Sequence, residues 1–374
     1  LVKALELGDG GQTVAFDSAD GEIYHAFGYS SQTFETIDPD TLAVTNVPLS
    51  GDTIGEPSAL THWVGNTLLL GDRSNNLTLV TSTGQAYFLS NLDHTPKGLV
   101  FGGSPPNCPP AAGSLFGAAN LGRDGTSLFY SLDPATGAPT LIGPIGFKRV
   151  SGMAFDAYGN LFGTGVRQGV VEPDVLLTIN PCTGAGSEVG RTQLSLITES
   201  SSPTVTDISF RHSDGVLFAV VNSGSGSSQI YLATIDTSGL ATEVGYVSDG
   251  GQGNGLAFSA SDVLFHTISN RLHDLDPDTG AGGVQQNLSM DFGAFPPTEG
   301  SYRVNALDFH PATGILFASV TDTLDNYLGT IDTASDTGDV TFLGSTQPGL
   351  DAIAFLPTSG TPATITASGG ASQS

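Results

Sequence analysis

Asn254, Asn305 and Asp351 each stand four residues before a phenylalanine, in stretches reading NGLAF, NALDF and DAIAF. Short oxygen-bearing side chains at one fixed place in a recurring phrase can converge if the phrase builds like elements side by side. Such oxygens suit a hard cation such as Ca2+, and a divalent ion so held activates water for hydrolysis. The same column holds Gln12, Ala59, Lys97, Ser151 and Thr206 in the other copies. The plainer reading, and the one preferred, is that small polar side chains tie down the tight loop entering each apolar run.

Other chemistry has little footing. His25, His62, His94, His212, His266, His273 and His310 fall in different stretches, without HxH or HExxH spacing. No G-x-S-x-G elbow, P-loop or dinucleotide fingerprint occurs. The glycine clusters GDGG and SGSGSS lack the strand–helix setting that phosphate binding needs. Asn76 (NLT) and Asn287 (NLS) fit the N-glycosylation pattern.

The positioning elements come from repetition. Aligning the phrase on its aromatic gives Phe16, Trp63, Phe101, Phe155, Phe210, Phe258, Phe309 and Phe355, at intervals of 38 to 55 residues. A period near 40–50 is the length of one four-stranded propeller blade. After the aromatic comes a turn, then a strand with a paired apolar step, such as Leu161-Phe162, Leu217-Phe218, Leu264-Phe265 or Leu316-Phe317. A third strand ends in an Asp-turn (TIDPDT, SLDPATG, TINPCTG, DLDPDTG) and a fourth follows. The DPDTG turns lack the remaining ligands of a calcium loop and read as structural. A four-stranded meander buries both faces only against like neighbours, and a closed circle leaves no bare end.

The expected fold is therefore all-β: a β-propeller of seven four-stranded blades over residues 1–357, followed by a polar tail, 358–374. The alternative is eight blades, the last built from 350–357 together with residues 2–7. Cys108, in the Pro-rich insertion GGSPPNCPPAAG, and Cys182, in an Asp-turn of the next module, fall on one face of adjacent blades, which predicts a disulfide.

In wording, the modules resemble secreted bacterial propeller repeats of the NHL, SMP-30 and YVTN-like group and a related extracellular propeller family. The resemblance covers about 12–357 and is specific for fold, not activity. Lactonases of the SMP-30 type hold a divalent metal in the channel through a similar Asn/Asp group plus a Glu. The resemblance thus implies Asn254, Asn305 and Asp351 as metal candidates, but Glu56 is out of register for the fourth ligand.

Thirty-seven acidic against 11 basic residues give a formal net charge of −26, which argues against nucleic acid or an anionic membrane surface as partner. No apolar run approaches the ~18–20 residues of a spanning helix. Sparse Lys, abundant Thr, Ser and Gly, and an opening Leu1 in place of Met favour an exported, extracellular or surface protein. The tail contains PATITAS, whose β-branched alternation around Thr364, Ile365 and Thr366 suits an added edge strand. The expected function is a non-enzymatic structural or interaction propeller that assembles with itself through terminal strands into a filament or surface layer. No cofactor is required, with Ca2+ the ion the Asn/Asp group would take. A lactonase-like hydrolase and a carbohydrate- or protein-binding adhesin are the alternatives.

Overall fold

The computed structural model describes residues 12–358, apart from 18–19, 30, 65–66, 100–109, 121–124, 169–173, 199–202, 225–228, 250–254, 269–270, 294, 297–301, 323–324 and 334–337. Its strands form seven sheets. The first holds β1 (Gln12–Phe16), β2 (Ile23–Phe27), β3 (Thr33–Ile37) and β4 (Val44–Val47) in chain order. The second has the order β5-β9-β8-β7-β6, from β5 (Ser50–Gly51), β6 (Pro57–Val64), β7 (Thr67–Asp72), β8 (Asn76–Thr81) and β9 (Gln85–Asn91). β10 (Leu115–Asn120), β11 (Ser127–Leu132) and β12 (Pro139–Pro144) belong to the third.

The next four sheets each run in chain order. The fourth is β13 (Lys148–Phe155), β14 (Leu161–Val166), β15 (Asp174–Ile179) and β16 (Gly186–Arg191), followed by a short helix, α1 (Ser195–Thr198). The fifth is β17 (Thr204–Phe210), β18 (Leu217–Asn222), β19 (Gln229–Ile235) and β20 (Ala241–Asp249). The sixth is β21 (Leu256–Phe258), β22 (Leu264–Ile268), β23 (Arg271–Leu275) and β24 (Gly282–Ser289). The seventh is β25 (Arg303–Phe309), β26 (Leu316–Thr321), β27 (Asn326–Ile331) and β28 (Val340–Ser345). The last strand, β29 (Leu350–Phe355), turns back to complete the third sheet, pairing antiparallel with β10.

Local chemistry explains the turns. In each Asp-turn a carboxylate or amide oxygen accepts backbone N–H groups two or three residues on: Asp38 from Asp40 and Thr41, Asn180 from Cys182, Asp276 from Asp278. The second strand of a ring sheet is largely apolar on both faces because neighbouring sheets cover it from both sides. Residues Leu217 to Val221 of β18, for example, are all buried.

Five of the seven sheets close a ring. Inner strand β29 lies beside β13, β13 beside β17, β17 beside β21, β21 beside β25, and β25 again beside β29. One aromatic pair marks each seam: Phe116–Phe155, Phe162–Phe210, Phe218–Phe258, Phe265–Phe309 and Phe317–Phe355, with centroids 4.9–5.8 Å apart. In every case the Phe of the paired apolar step meets the Phe that ends the next inner strand. Each such pair adds about 0.5–1.5 kcal/mol beyond the area it buries.

A second device recurs outside the aromatics. The glycine of the fourth strand lies against the Asp-turn of the next sheet, so closely that a Cβ would collide with its backbone. At Gly143, Gly190, Gly245 and Gly344 that Cβ would fall 1.9–2.3 Å from a carbonyl oxygen of Thr183, Ser238, Thr279 and Thr136 respectively. The Gly344–Thr136 contact joins the seventh sheet to the third, as ring closure requires.

The all-β propeller and its seven sheets agree with the sequence reading, but ring membership does not. The expected seven-blade ring is corrected to five, because the seventh sheet meets the third directly. The first two sheets pack on each other through Tyr24, Phe34, Leu60, Leu68 and Leu70. Leu89 of the second sheet leans on the cluster between the third and seventh. The alternative eighth blade is also replaced: residues 350–355 pair with β10, and residues 2–7 lie outside the described residues. Among the described residues no helix is long and apolar enough to cross a membrane.

Candidate functional site

The inner strands leave one backbone edge facing the ring axis, and its N–H groups need acceptors. Polar side chains on neighbouring sheets, most of them on inner strands, supply them. Asp207 of β17, fully buried, accepts the N–H of Leu256 (2.8 Å) on β21 and of Leu307 (3.2 Å) on β25, as well as that of Ile208. One carboxylate thus ties three successive blades. Ser209 accepts from Phe258 N–H at 3.0 Å, and Asp308 from Phe355 N–H at 2.6 Å. Asp174 of β15 accepts from Val205 N–H at 2.6 Å.

Electrostatics follow from this depth. Burial raises the Asp207 carboxyl well above the ordinary carboxylate range, against the pull of its three N–H donors, and the nearby Asp308 adds to the rise. Burial also pushes Asp308 up to about 7, although part of its surface still meets solvent. Asp351 is raised by burial too, with the Asn120 amide opposing the shift.

The structure brings two of the three sequence-level metal candidates together. Asn305 Nδ2 donates to Asp351 Oδ1 at 3.2 Å, and Asn120 Nδ2 donates to the other oxygen. Asn120 in turn accepts from the Ser127 hydroxyl. The groups turned toward Asp351 are therefore amide N–H donors, the opposite of the oxygen face a cation needs. Asn254 lies outside the described residues. In the same column, Ser151 Oγ donates to Val205 O at 2.6 Å and Thr206 Oγ1 to Val220 O at 3.3 Å. Ala59 is buried in the second sheet, Gln12 opens the first, and Lys97 sits in an exposed loop. Glu56 pairs with Arg73 at 3.2 Å. Among the described residues no three His, Cys, Asp or Glu side chains converge as a metal set.

The remaining sequence candidates are placed as follows. His310 Nδ1 accepts the N–H groups of Ala312 and Thr313, and Asp262 accepts those of His212 and Ser213, so both histidines sit in turns. Cys182 is not a free thiol, and Cys108 lies outside the described residues. Asn76 donates its amide to Asp72 at 3.0 Å. Asn287 stands in β24, and Thr364, Ile365 and Thr366 lie outside the described residues. A surface cleft between the sixth and seventh sheets is lined by Ser259, Ser261, Phe265, Asp274, Phe309 and Thr333.

Sequence reasoning missed Asp207. The signal was present: one position after Thr206, where the other ring strands carry Gly152, Gly255, Ala306 and Ala352, the fifth sheet carries an acid.

No protein-family model matches the sequence, and no curated protein matches it. Among solved structures, the chain is similar to a hydrazine synthase of Kuenenia stuttgartiensis (12% identity, TM-score 0.33), covering 86% of this chain and 98% of that one. It is similar to the Swd1 β-propeller domain of Myceliophteria thermophila (14%, TM-score 0.32), with 86% and 97% covered. A puromycin hydrolase is similar over 91% of this chain and 54% of that one (15%, TM-score 0.36).

Proposed function

We propose that the chain is a non-enzymatic extracellular propeller scaffold that associates with a second copy of itself through the exposed apolar side chains of its first sheet. One observation carries this reading. Phe16 is 56% exposed, whereas at its place in the ring Phe155, Phe258 and Phe355 are 9%, 1% and 4% exposed and Phe210 and Phe309 are half-buried. Val14, on the same face of β1, is also 56% exposed, and Val44 of β4 is 44% exposed. The middle of that face is closed, with His25, Glu35 and Ile37 buried, so the exposed apolar side chains lie at its β1 and β4 margins. Such margins call for a like surface, and a two-fold axis supplies one by matching them to themselves.

The extracellular setting rests on composition and on Cys182, whose proposed partner is Cys108. The tail strand around Ile365 is a second proposed contact, one that would extend pairs into filaments. The lactonase-like reading has less support, because Asp351 already meets two amide donors.

Light scattering after size exclusion tests the proposal on wild-type chain, on the double variant Val14→Lys/Phe16→Asp, and on a chain ending at residue 357. The expected result is an oligomer that the double variant reduces to monomer, with truncation shortening any filament. A wild-type chain that stays monomeric at high concentration, or a double variant of unchanged size, would overturn it.

A further inference from the structure

We infer that His266 and His273 form a two-histidine site for a borderline divalent transition-metal ion (Zn2+, Ni2+ or Cu2+) at the seam between the fifth and sixth sheets. The two residues are direct register partners on antiparallel strands β22 and β23, which sets their Cβ atoms about 4.5–5.5 Å apart on one face. Leu264 and Ile268 flank His266 on its strand and pack toward Val220, Ile230 and Leu232 of the fifth sheet, so both imidazoles face that seam.

The repeat makes this position conspicuous. The residue after the paired apolar step is Gly117, Gly163, Ala219 and Ala318 in the other ring sheets. Its register partners there are Tyr130, Leu177, Ala233 and Gly329. Only the sixth sheet sets an ionisable pair where its ring neighbours place a small residue. Outside the ring, the first sheet has His25 at this position, and His25 Nδ1 is bonded to its register partner Glu35 at 2.8 Å. An imidazole here is thus accompanied by a cross-strand group that engages it.

His266 lacks that engagement within the protein. It is 1% exposed, and neither Nδ1 nor Nε2 has a hydrogen-bond partner. Two unpaired ring nitrogens in an apolar seam are costly. A bridging ion relieves the cost by taking one nitrogen from each ring, with water filling its other positions. Ligation requires neutral imidazole, and burial lowers both groups, His266 to about 3. His273 is only partly buried and gives the ion a way in.

The test is calorimetric titration of the full chain with Zn2+ and Ni2+, with Cu2+ followed by electron paramagnetic resonance. Mg2+ serves as a control for general binding to a chain of net charge −26. The comparison variants are His273→Ala and His266→Ala/His273→Ala. Alanine is what the fifth and seventh sheets carry at position 266's place, so the fold has room for it. The expected result is one transition-metal ion per wild-type chain beyond those bound by the double variant, a Tm raised by a few degrees, and nitrogen coupling from two imidazoles on Cu2+. His273→Ala should weaken that binding by about tenfold or more. Equal stoichiometry and equal Tm shift in wild type and both variants, or a Cu2+ spectrum without imidazole coupling, would overturn the proposal and leave a buried water as the occupant.

Discussion

Phe355 meets Phe317 edge-on, with ring centroids 4.9 Å apart, across the seam where the third sheet joins the seventh. The backbone of Phe355 pairs with Leu115, and its N–H donates to Asp308. One residue therefore fastens the ring in three directions. Replacing it with alanine should cost about 3–5 kcal/mol, the range for a buried Phe, and Phe355→Leu clearly less. Chemical denaturation of the two variants checks this; equal losses would assign the cost to the aromatic contact with Phe317 rather than to buried area.

The glycine contacts at the outer rim predict a sharper steric effect. Gly245→Ala places a Cβ 2.0 Å from Thr279 O, a backbone atom that cannot swing away. We expect a loss of a few kcal/mol. Gly282→Ala, with nothing within 4 Å of its Cβ and no positive φ, should change stability by about 0.5 kcal/mol or less. Thermal melts of both variants decide it.

Asp207 should matter more than any other polar side chain on the axis. Asp207→Leu removes the acceptor of three backbone N–H groups and leaves them buried. Each unsatisfied donor costs about 1–3 kcal/mol, enough to threaten folding. Asp207→Asn keeps one acceptor oxygen and should be markedly milder. Hydrogen exchange at Leu256 and Leu307 gives the specific readout: both amides should exchange faster in either variant.

The raised carboxyl of Asp308 makes stability depend on pH in a direction unusual for an aspartate. With a folded value of about 7 against an ordinary 3.8, the folded chain holds a proton that the unfolded chain has released. The contribution is complete below about pH 4 and is lost as pH rises through 7, by up to about 4 kcal/mol. Burial of His266 acts in the opposite sense, since stability there is lost as pH falls from 6.5 toward about 3. The useful quantity is therefore the difference between wild type and Asp308→Asn. Wild type should lose ground to the variant between pH 4 and 8; a flat difference would show that Asp308 titrates normally.

How far the sequence revealed this architecture depends on which contacts are local. The Asp-turns, the paired apolar step and the strand-ending aromatics are set by neighbours in sequence, and they appear where the phrase places them. Ring membership is not local. The spacing from Phe16 to Phe355 marks sheets, and nothing in a period tells the fourth-strand Gly344 to seek Thr136. Phe101 was read as ending an inner strand, yet β29 supplies the inner strand of that sheet and Phe101 lies outside the described residues. The polar axis was legible only in part. The sequence marks Asn305 and Asp351 as oxygen carriers, but the second amide that holds Asp351 comes from Asn120, 231 positions away. Asp207 and His266 were visible as odd letters in otherwise small-residue columns, a signal that comes from comparing copies rather than from any motif.

The return of β29 to β10 also orders events in time. A ribosome delivers the third sheet's outer strands long before the strand that completes it, so β10 must wait, one edge bare, while four further meanders are synthesised. Until then the arc is an open horseshoe with two naked ends, and its closure is a single late step of high entropic cost. The nascent chain is therefore most vulnerable to mispairing in the interval before β29 arrives. The first two sheets, whose shared core needs nothing downstream, are free to settle early.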